Sequence, residues 1–420
     1  MEKVREGYNI TKIGEIPCDW KVDKLGDKAY IKARIGWRGL SSDEYTDEGP
    51  YLVAGKHIKG SEILWDECDH ISIERYNESS EIMLREKDII MTKDGTIGRV
   101  GFIDKLNNKA TINGTMMLIR PNEEVFYSKF LYYYFQGENF KKIINEKVSG
   151  SSIPHIFQRD MVNLEVPIPY KYEQEKIASI LSTVDEQINN VDVIIEKNKE
   201  LKKGLMQTLL TKGIGHTRFK KTEIGEIPEE WEIKTFKDIS KVNQGLQIAI
   251  EERYKDLKEG RLPYITIQYI NDKLNSDNEY FIENFSESVV CKEDDILMTR
   301  TGNTGIVVTN EIGVFHNNFF KVDFRRDLLN KDFLVWFLNT NFIQNLISRY
   351  AGTTTIPDLK HDDFYKLPVV IPSLYEQEKI SSILSEVDEK LEEYKNKKQK
   401  LEELKKGLMQ QLLTGKIRTI

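Results

Sequence analysis

The chain has 420 residues, a net charge of −7, 39% hydrophobic, 10% aromatic and 31% charged residues, a composition that fits a folded, soluble protein with long exposed helices. Three distant cysteines (Cys18, Cys68, Cys291) argue against a disulfide framework and a structural zinc site. The charged start, Met1 to Glu6, lacks the apolar core of a signal peptide, and no apolar stretch is long enough to span a bilayer, so a cytoplasmic protein with no membrane partner is expected.

Charge also bounds the partners. Residues 1–170 carry 24 basic and 27 acidic side chains, and residues 214–370 carry 20 and 25. Neither segment has the bulk positive charge of a protein that binds nucleic acid alone by neutralising phosphates. Any such contact must come from a local patch, or partners must supply the rest.

In chain order, a globule opens with Ile13-Gly14-Glu15-Ile16-Pro17 and Trp20. The run Asp88–Thr92, the turn Asp94-Gly95-Thr96-Ile97-Gly98 and the run Arg99–Ile103 predict a β-hairpin. Phe130–Phe140 predicts an aromatic-rich helix, with Tyr132-Tyr133-Tyr134-Phe135 in the core. A small polar loop, Ser149 to Pro154, precedes the extended segment Val166-Pro167-Ile168-Pro169. From Glu173 to Thr211 the apolar positions Leu181, Val184, Ile188, Val191, Ile195, Leu205 and Leu209 keep an a/d heptad, with polar breaks at Asn198 and Lys202. A 39-residue helix is about 58 Å long, and Gly213 stops it.

Everything then recurs. Ile224-Gly225-Glu226-Ile227-Pro228 and Trp231 reopen the pattern; Asp295–Thr299 with Thr301-Gly302-Asn303-Thr304-Gly305 rebuilds the hairpin; Phe333–Ile347 predicts the helix. Ala351 to Pro357 repeats the loop, and residues 376–414 repeat the long helix with Lys398 and Lys405 as its polar breaks and Gly415 as its stop. Aligned without a gap, 24 of the 39 helix positions are identical, concentrated at the two ends. A period of about 205 residues is a duplicated domain pair, not a solenoid. The residues after the second helix also resemble those after the first, so the sequence is nearly circular and its termini are expected to lie close together. The expected architecture is α+β: strand-rich α/β globules at 1–170 and 214–372, and long antiparallel coiled-coil helices at 171–213 and 373–420, in a pseudo-twofold internal repeat.

The duplication is uneven. Residues 21–87 and 232–293 show almost no correspondence although the hairpins around them repeat. Like scaffolds with unlike surfaces point to two related but distinct ligands. Repeated helix ends point to one surface offered twice, with Glu173, Gln174, Lys203, Met206 and Gln207, and their counterparts Glu376, Gln377, Lys406, Met409 and Gln410, as candidate partner-binding residues.

The Gly-Glu-Ile-Pro…Trp entry, the Thr…Gly-x-x-Gly hairpin, the Pro-x-x-x-Glu-Gln-x-x-Ile helix start and the Leu-Lys-x-Gly-Leu-x-Gln close, each present twice, resemble the specificity subunit of type I restriction–modification systems. The resemblance covers essentially the whole chain. It implies two target-recognition domains, each reading half of a split double-stranded DNA site, and two spacer helices docking two methyltransferase subunits, with restriction subunits joining them. It implies no catalysis and no cofactor in this chain, with S-adenosylmethionine bound by the methyltransferase partner. A coiled-coil scaffold whose globules bind protein is the alternative.

No enzyme motif interrupts that reading: a phosphate-binding loop, a glycine fingerprint for S-adenosylmethionine and an Asn/Asp-Pro-Pro-aromatic motif are all missing. Pro357-Asp358-Leu359-Lys360 only faintly echoes a nuclease carboxylate–lysine pair, and Cys68-Asp69-His70 suits the fold better than a metal. For the reading surfaces, Lys93, Thr96 and Arg99, with Arg300, Asn303 and Thr304, surround the hairpin turns and suit phosphate or base-edge contact as well as solvation. Ser151, Ser152 and His155, with Thr353 and Thr354, suit phosphates or a capped loop. Arg34, Trp37, Arg38 and His57 differ between the globules, as do Gln244, Gln247 and Gln268. Arginine and glutamine are the residues that pair bidentately with guanine and adenine.

Overall fold

The structure, a computed structural model, describes residues 5–33, 40–60, 62–148, 155–273, 276–352 and 357–419. The chain divides into two compact units, residues 1–193 with 395–420, and residues 194–394. Each unit thus holds one globule, the first half of one long helix and the second half of the other.

In the first unit, β1 (Ala29–Ala33), β2 (Ile89–Thr92), β3 (Val100–Phe102) and β4 (Met116–Pro121) form an antiparallel sheet in the order β3-β2-β4-β1. Strand β2 reads Ile-Ile-Met-Thr and is buried throughout, because its alternating side chains serve two cores. Ile89 and Met91 pack with helix α1 (Ser128–Gln136), while Ile90 faces a second layer containing Val53 and Ile112. In that layer Ala110–Ile112 runs parallel to Tyr45–Val53. Tyr132, Tyr133, Tyr134 and Phe135 are buried, as read from their spacing. The expected single helix over Phe130–Phe140 is two, because Gly137 adopts an extended backbone and caps α1 through its N–H on the Tyr134 carbonyl before Glu138–Val148 begins. A short helix, α2 (Gln158–Val162), leads to Glu165–Ile168, which pairs antiparallel with Lys21–Lys24 and returns the chain to α3 (Lys171–Lys212).

The second unit repeats this plan. Strands β5 (Ser240–Gln244), β6 (Ile296–Thr299), β7 (Val307–Thr309) and β8 (Phe319–Phe324) run β5-β8-β6-β7. Helix α4 (Lys331–Leu338) is separated from Asn341–Ala351 by Asn339 and Thr340, whose hydroxyl caps the Ile343 N–H. The helix expected over Phe333–Ile347 is therefore also two. Helix α5 (His361–Tyr365) precedes Pro368–Ile371, which pairs with Glu232–Thr235, and α6 (Leu374–Leu412) follows. The fold is α+β, a tandem repeat of strand-rich domains with two long helices. No helix among the described residues is long and apolar enough to cross a membrane.

Within each unit the helix halves run antiparallel, and the polar breaks in the heptads find partners. In the first unit Asp185 pairs with Lys405 at 2.7 Å and Asp192 with Lys398 at 2.7 Å. The Lys405 ammonium also lies 5.6 Å from the centre of the Tyr133 ring, whose hydroxyl donates to Asp185 at 2.8 Å. In the second unit Lys202 pairs with Asp388 and lies 4.8 Å from the Trp336 ring. Lys405 and Lys202 occupy the same position of the repeat, as do Asp185 and Asp388.

Both helices end on a left-handed glycine, Gly213 at φ +65° and Gly415 at φ +68°. Beyond Gly213 the chain runs on into its globule, with the Ile214 N–H and His216 both on Glu376 at 2.9 Å. Beyond Gly415 the same joint is made with residues from the opposite end of the sequence. The Tyr8 hydroxyl donates to the Gly415 carbonyl at 2.6 Å, and Arg418 binds both Asp19 and Glu173. The two ends of the chain meet, as the circular pattern of the sequence implies.

Candidate functional site

The main sheet of each unit ends in a turn built around one buried threonine. The backbone N–H groups of Gly98 and Arg99 bond to the Thr92 carbonyl and hydroxyl, while that hydroxyl donates to the Thr96 carbonyl. Thr299 holds Gly305, Ile306 and Asn303 in the same way. Sequence reasoning quoted both threonines only as part of the repeated Thr…Gly-x-x-Gly motif and gave them no role.

A clasp joins each turn to the segment ahead of the last strand, with its carboxylate on opposite sides in the two units. In the first, Asp94 receives Lys93 at 2.8 Å and His155, and the Ile156 N–H donates to the Lys93 carbonyl. Burial raises the Asp94 pKa, but the bonds from Lys93 and His155 outweigh it and leave the carboxyl below its usual range. In the second, the carboxylate sits on the other side. Asp358 accepts from Arg300 at 3.0 and 3.1 Å and from the Thr301 hydroxyl at 3.0 Å, and the Arg300 bond depresses its pKa against burial. Asp358 is thus engaged in the fold, and this clasp accounts for the faint nuclease echo of Pro357 to Lys360. Asp69 likewise pairs with Lys56 at 3.0 Å, and burial pushes the Cys68 thiol up to about 12.

The remaining candidates separate by exposure. Thr96 and Asn303 lie exposed at the turn tips. Lys93 and Arg300 are mostly covered by their clasps, and the Thr304 hydroxyl donates within its own turn. Arg99 is exposed, but its guanidinium caps the Gly55 and Ile58 carbonyls at 2.7 and 3.4 Å. His57 corrects an expectation: it is 1% exposed, with Nδ1 accepting from the Ala54 N–H, so it cannot touch DNA. Arg34, Trp37, Arg38, Ser151, Ser152, Thr353 and Thr354 lie outside the described residues.

In the second unit three exposed glutamines share one end of the fold. Gln244 closes β5 opposite Phe320, at the sheet end that also carries the Arg300 turn. The Leu246 N–H on the Phe315 carbonyl holds the next residues there, and Gln247 accepts from Asn317, a neighbour that sequence reasoning missed. Leu262–Ile265 and Gly313–Phe315 run parallel, so the short helix carrying Gln268 leaves from the same end as Asn317. These are amide groups, chemistry suited to reading base edges.

The helix ends require a larger correction. Glu173, Gln174 and Gln377 are fully buried, and Glu376 nearly so. Glu173 accepts from the Trp20 indole at 3.0 Å and Glu376 from that of Trp231 at 3.0 Å. The Gln174 amide bonds to the carbonyls of Val125 and Pro169 and to the Tyr127 N–H, and Gln377 does the same with Leu328, Pro372 and Asn330. The repeated Glu-Gln fastens each globule to its helix and offers nothing to a partner. Met206 and Met409 are half-buried against the cores. Lys203, Gln207, Lys406 and Gln410 are exposed. So are three apolar pairs at matching repeat positions: Tyr172 and Tyr375 at 50% and 66%, Ile180 and Ile383 at 38% and 37%, Leu201 and Leu404 both at 50%. Each unit carries one of each.

Comparison with known proteins places these features. The family described as "Type I restriction modification DNA specificity domain" matches residues 17–202 and 228–403. The chain is 28% identical to the type I restriction enzyme MjaVIII specificity subunit of Methanocaldococcus jannaschii, over 96% of this chain and 94% of that one. It is 22% identical to the EcoDI specificity subunit of Escherichia coli, covering 87% and 81%. In fold it is similar to the crystal structure of a type I restriction–modification S subunit from M. genitalium, with a TM-score of 0.59 at 19% identity and 98% and 97% coverage. The chain belongs to the type I restriction–modification specificity family, as a non-catalytic component that recognises DNA.

Proposed function

We propose that the two globules read the two halves of a split duplex site and that the long helices dock two methyltransferase subunits, which restriction subunits then join. One observation carries this reading: the helices expose the same apolar triplet in each unit, while the sheet ends expose different side chains. A surface offered twice fits two copies of one partner, and two unlike surfaces fit two unlike sequences. Lys93, Thr96 and His155 would serve the first half-site, and Gln244, Gln247, Gln268, Arg300 and Asn303 the second. The slightly acidic globules fit a complex in which partners supply part of the positive charge around DNA. The methyltransferase partner, in the cytoplasm, would bring S-adenosylmethionine and the adenine chemistry.

Methylome sequencing of cells expressing this chain with its methyltransferase subunit tests the reading. Methyladenine is expected at a split motif and is lost when this chain is omitted. Exchanging residues 215–372 for those of a relative should change one half of the motif only. A stable complex with two methyltransferase subunits and no new methylation would instead favour a protein-binding scaffold.

A further inference from the structure

The first sheet end carries one group without a counterpart in the second. Phe157 is 48% exposed immediately before α2. Single exposed apolar residues are ordinary, so exposure alone decides nothing. Its setting does. The Phe157 N–H donates to Asp160 at 3.2 Å, and both neighbours are anchored: the Ile156 N–H to the Lys93 carbonyl, and the Gln158 side chain to the Ala33 N–H at the end of β1. The ring therefore stands on fixed backbone between the hairpin turn and the end of β1. The His155 ring, held by Asp94, meets its edge at 4.3 Å between centroids, and the Arg159 guanidinium carbon lies 4.6 Å from its centre.

At the same place in the second unit, immediately before α5, stands exposed Lys360. One scaffold thus presents an aromatic ring beside a guanidinium, the other an ammonium. Among the groups that base pairs display in the major groove, the thymine 5-methyl is the apolar one, and phenylalanine is among the side chains that contact it. An adjacent arginine suits the neighbouring phosphate. We propose that Phe157 is a specificity-determining residue that packs on the 5-methyl of a thymine in the first half-site, an inference that rests on the DNA-reading function proposed above.

The test uses the complex with its methyltransferase subunits and a duplex bearing the motif found by methylome sequencing. Each thymine is replaced in turn by deoxyuridine, which removes only the methyl. The wild-type complex should bind about four-fold more weakly when one thymine of the first half-site is replaced, the loss expected for one buried methyl. Phe157→Ala should bind the natural duplex weakly and no longer distinguish thymine from deoxyuridine there, whereas Phe157→Leu should still distinguish them. An unchanged thermal midpoint shows that the variants remain folded, as expected for a half-exposed side chain. The proposal is overturned if Phe157→Ala keeps the discrimination, or if the wild type shows none in the first half-site. Failure of the DNA-reading function itself looks different: a wild-type complex that binds the motif no better than a scrambled duplex.

Discussion

At Gly415 a built Cβ would stand 2.4 Å from Pro17 Cγ, and at Gly213 one would stand 2.4 Å from Glu376 Oε1 and 2.7 Å from the Trp231 ring. Both residues also hold a positive φ that L-residues adopt at a cost of about 1 kcal/mol or more. Alanine at either site should therefore destabilise its own unit by about 2–4 kcal/mol, where the same change at an unstrained, open position would stabilise, measured as a lower urea midpoint. The sequence marked these glycines as helix stops, and the joint behind them emerged only in three dimensions. Histidines set a second prediction. Burial depresses the pKa of His57 in the first unit and of His316 and His361 in the second. Their unfolded values lie near ~6.5, so below that pH the unfolded chain takes up protons that the folded chain resists. Stability from these residues is present above about pH 6.5 and is lost as pH falls towards the lower folded values. Thermal midpoints should drop between pH 7.5 and 5.5, before Asp94 and Asp358 lose their ionised clasps near or below about pH 4. A flat profile over that range would contradict the burial of all three. His57 also shows the limit of reading single residues: its difference between the globules suggested a reading surface, and only its burial, with Nδ1 on the Ala54 N–H, revealed the core.

Among elements, the long helices were the most legible, because an apolar heptad sustained over about five repeats is the signature of a coiled-coil helix. Their polar breaks at Lys202, Lys398 and Lys405 could not be explained by periodicity alone, since each partner comes from the opposite helix, roughly 190 to 220 residues away. The same distance hid the role of Glu-Gln: repetition signalled importance, and a local pattern cannot say whether importance faces inward or outward. Lys405 and Asp185 are 17% and 11% exposed, a nearly buried pair that links both helix halves to α1 through Tyr133. Removing one member leaves the other charge nearly buried without its counter-ion. Lys405→Met should destabilise the first unit by about 2–4 kcal/mol, and Lys405→Met with Asp185→Leu should recover much of that loss. If the double variant is no better than the single one, the pair matters for packing and not for charge. The globules were legible at their repeated hairpins and illegible between them, where the two copies diverge and each loop conforms to its own local sheet.

For the whole molecule, the division of the chain matters more than any one contact. The second unit is a single stretch, residues 194–394, whereas the first is completed by residues 395–420, which return from the far end of the sequence. Deleting residues 413–420 removes Arg418, Gly415 and Leu413, the last of these part of the first core. Calorimetry on that truncated chain should show the first unit melting well below the second, while a single unshifted transition would mean that the tail contributes little. The circular order was visible in the sequence because the segments beyond the two helix ends resemble each other. The clasp that closes the circle was not, because Arg418 and His216 do the same work with different chemistry. That closure also sets a timetable. During synthesis a chain emerges from its first residue, and domains ordinarily mature in that order. Here the first unit waits for residues 395–420, while the second, encoded before them, is already whole. A ribosome that stalls near residue 395 therefore releases a chain whose second unit is finished and whose first is not.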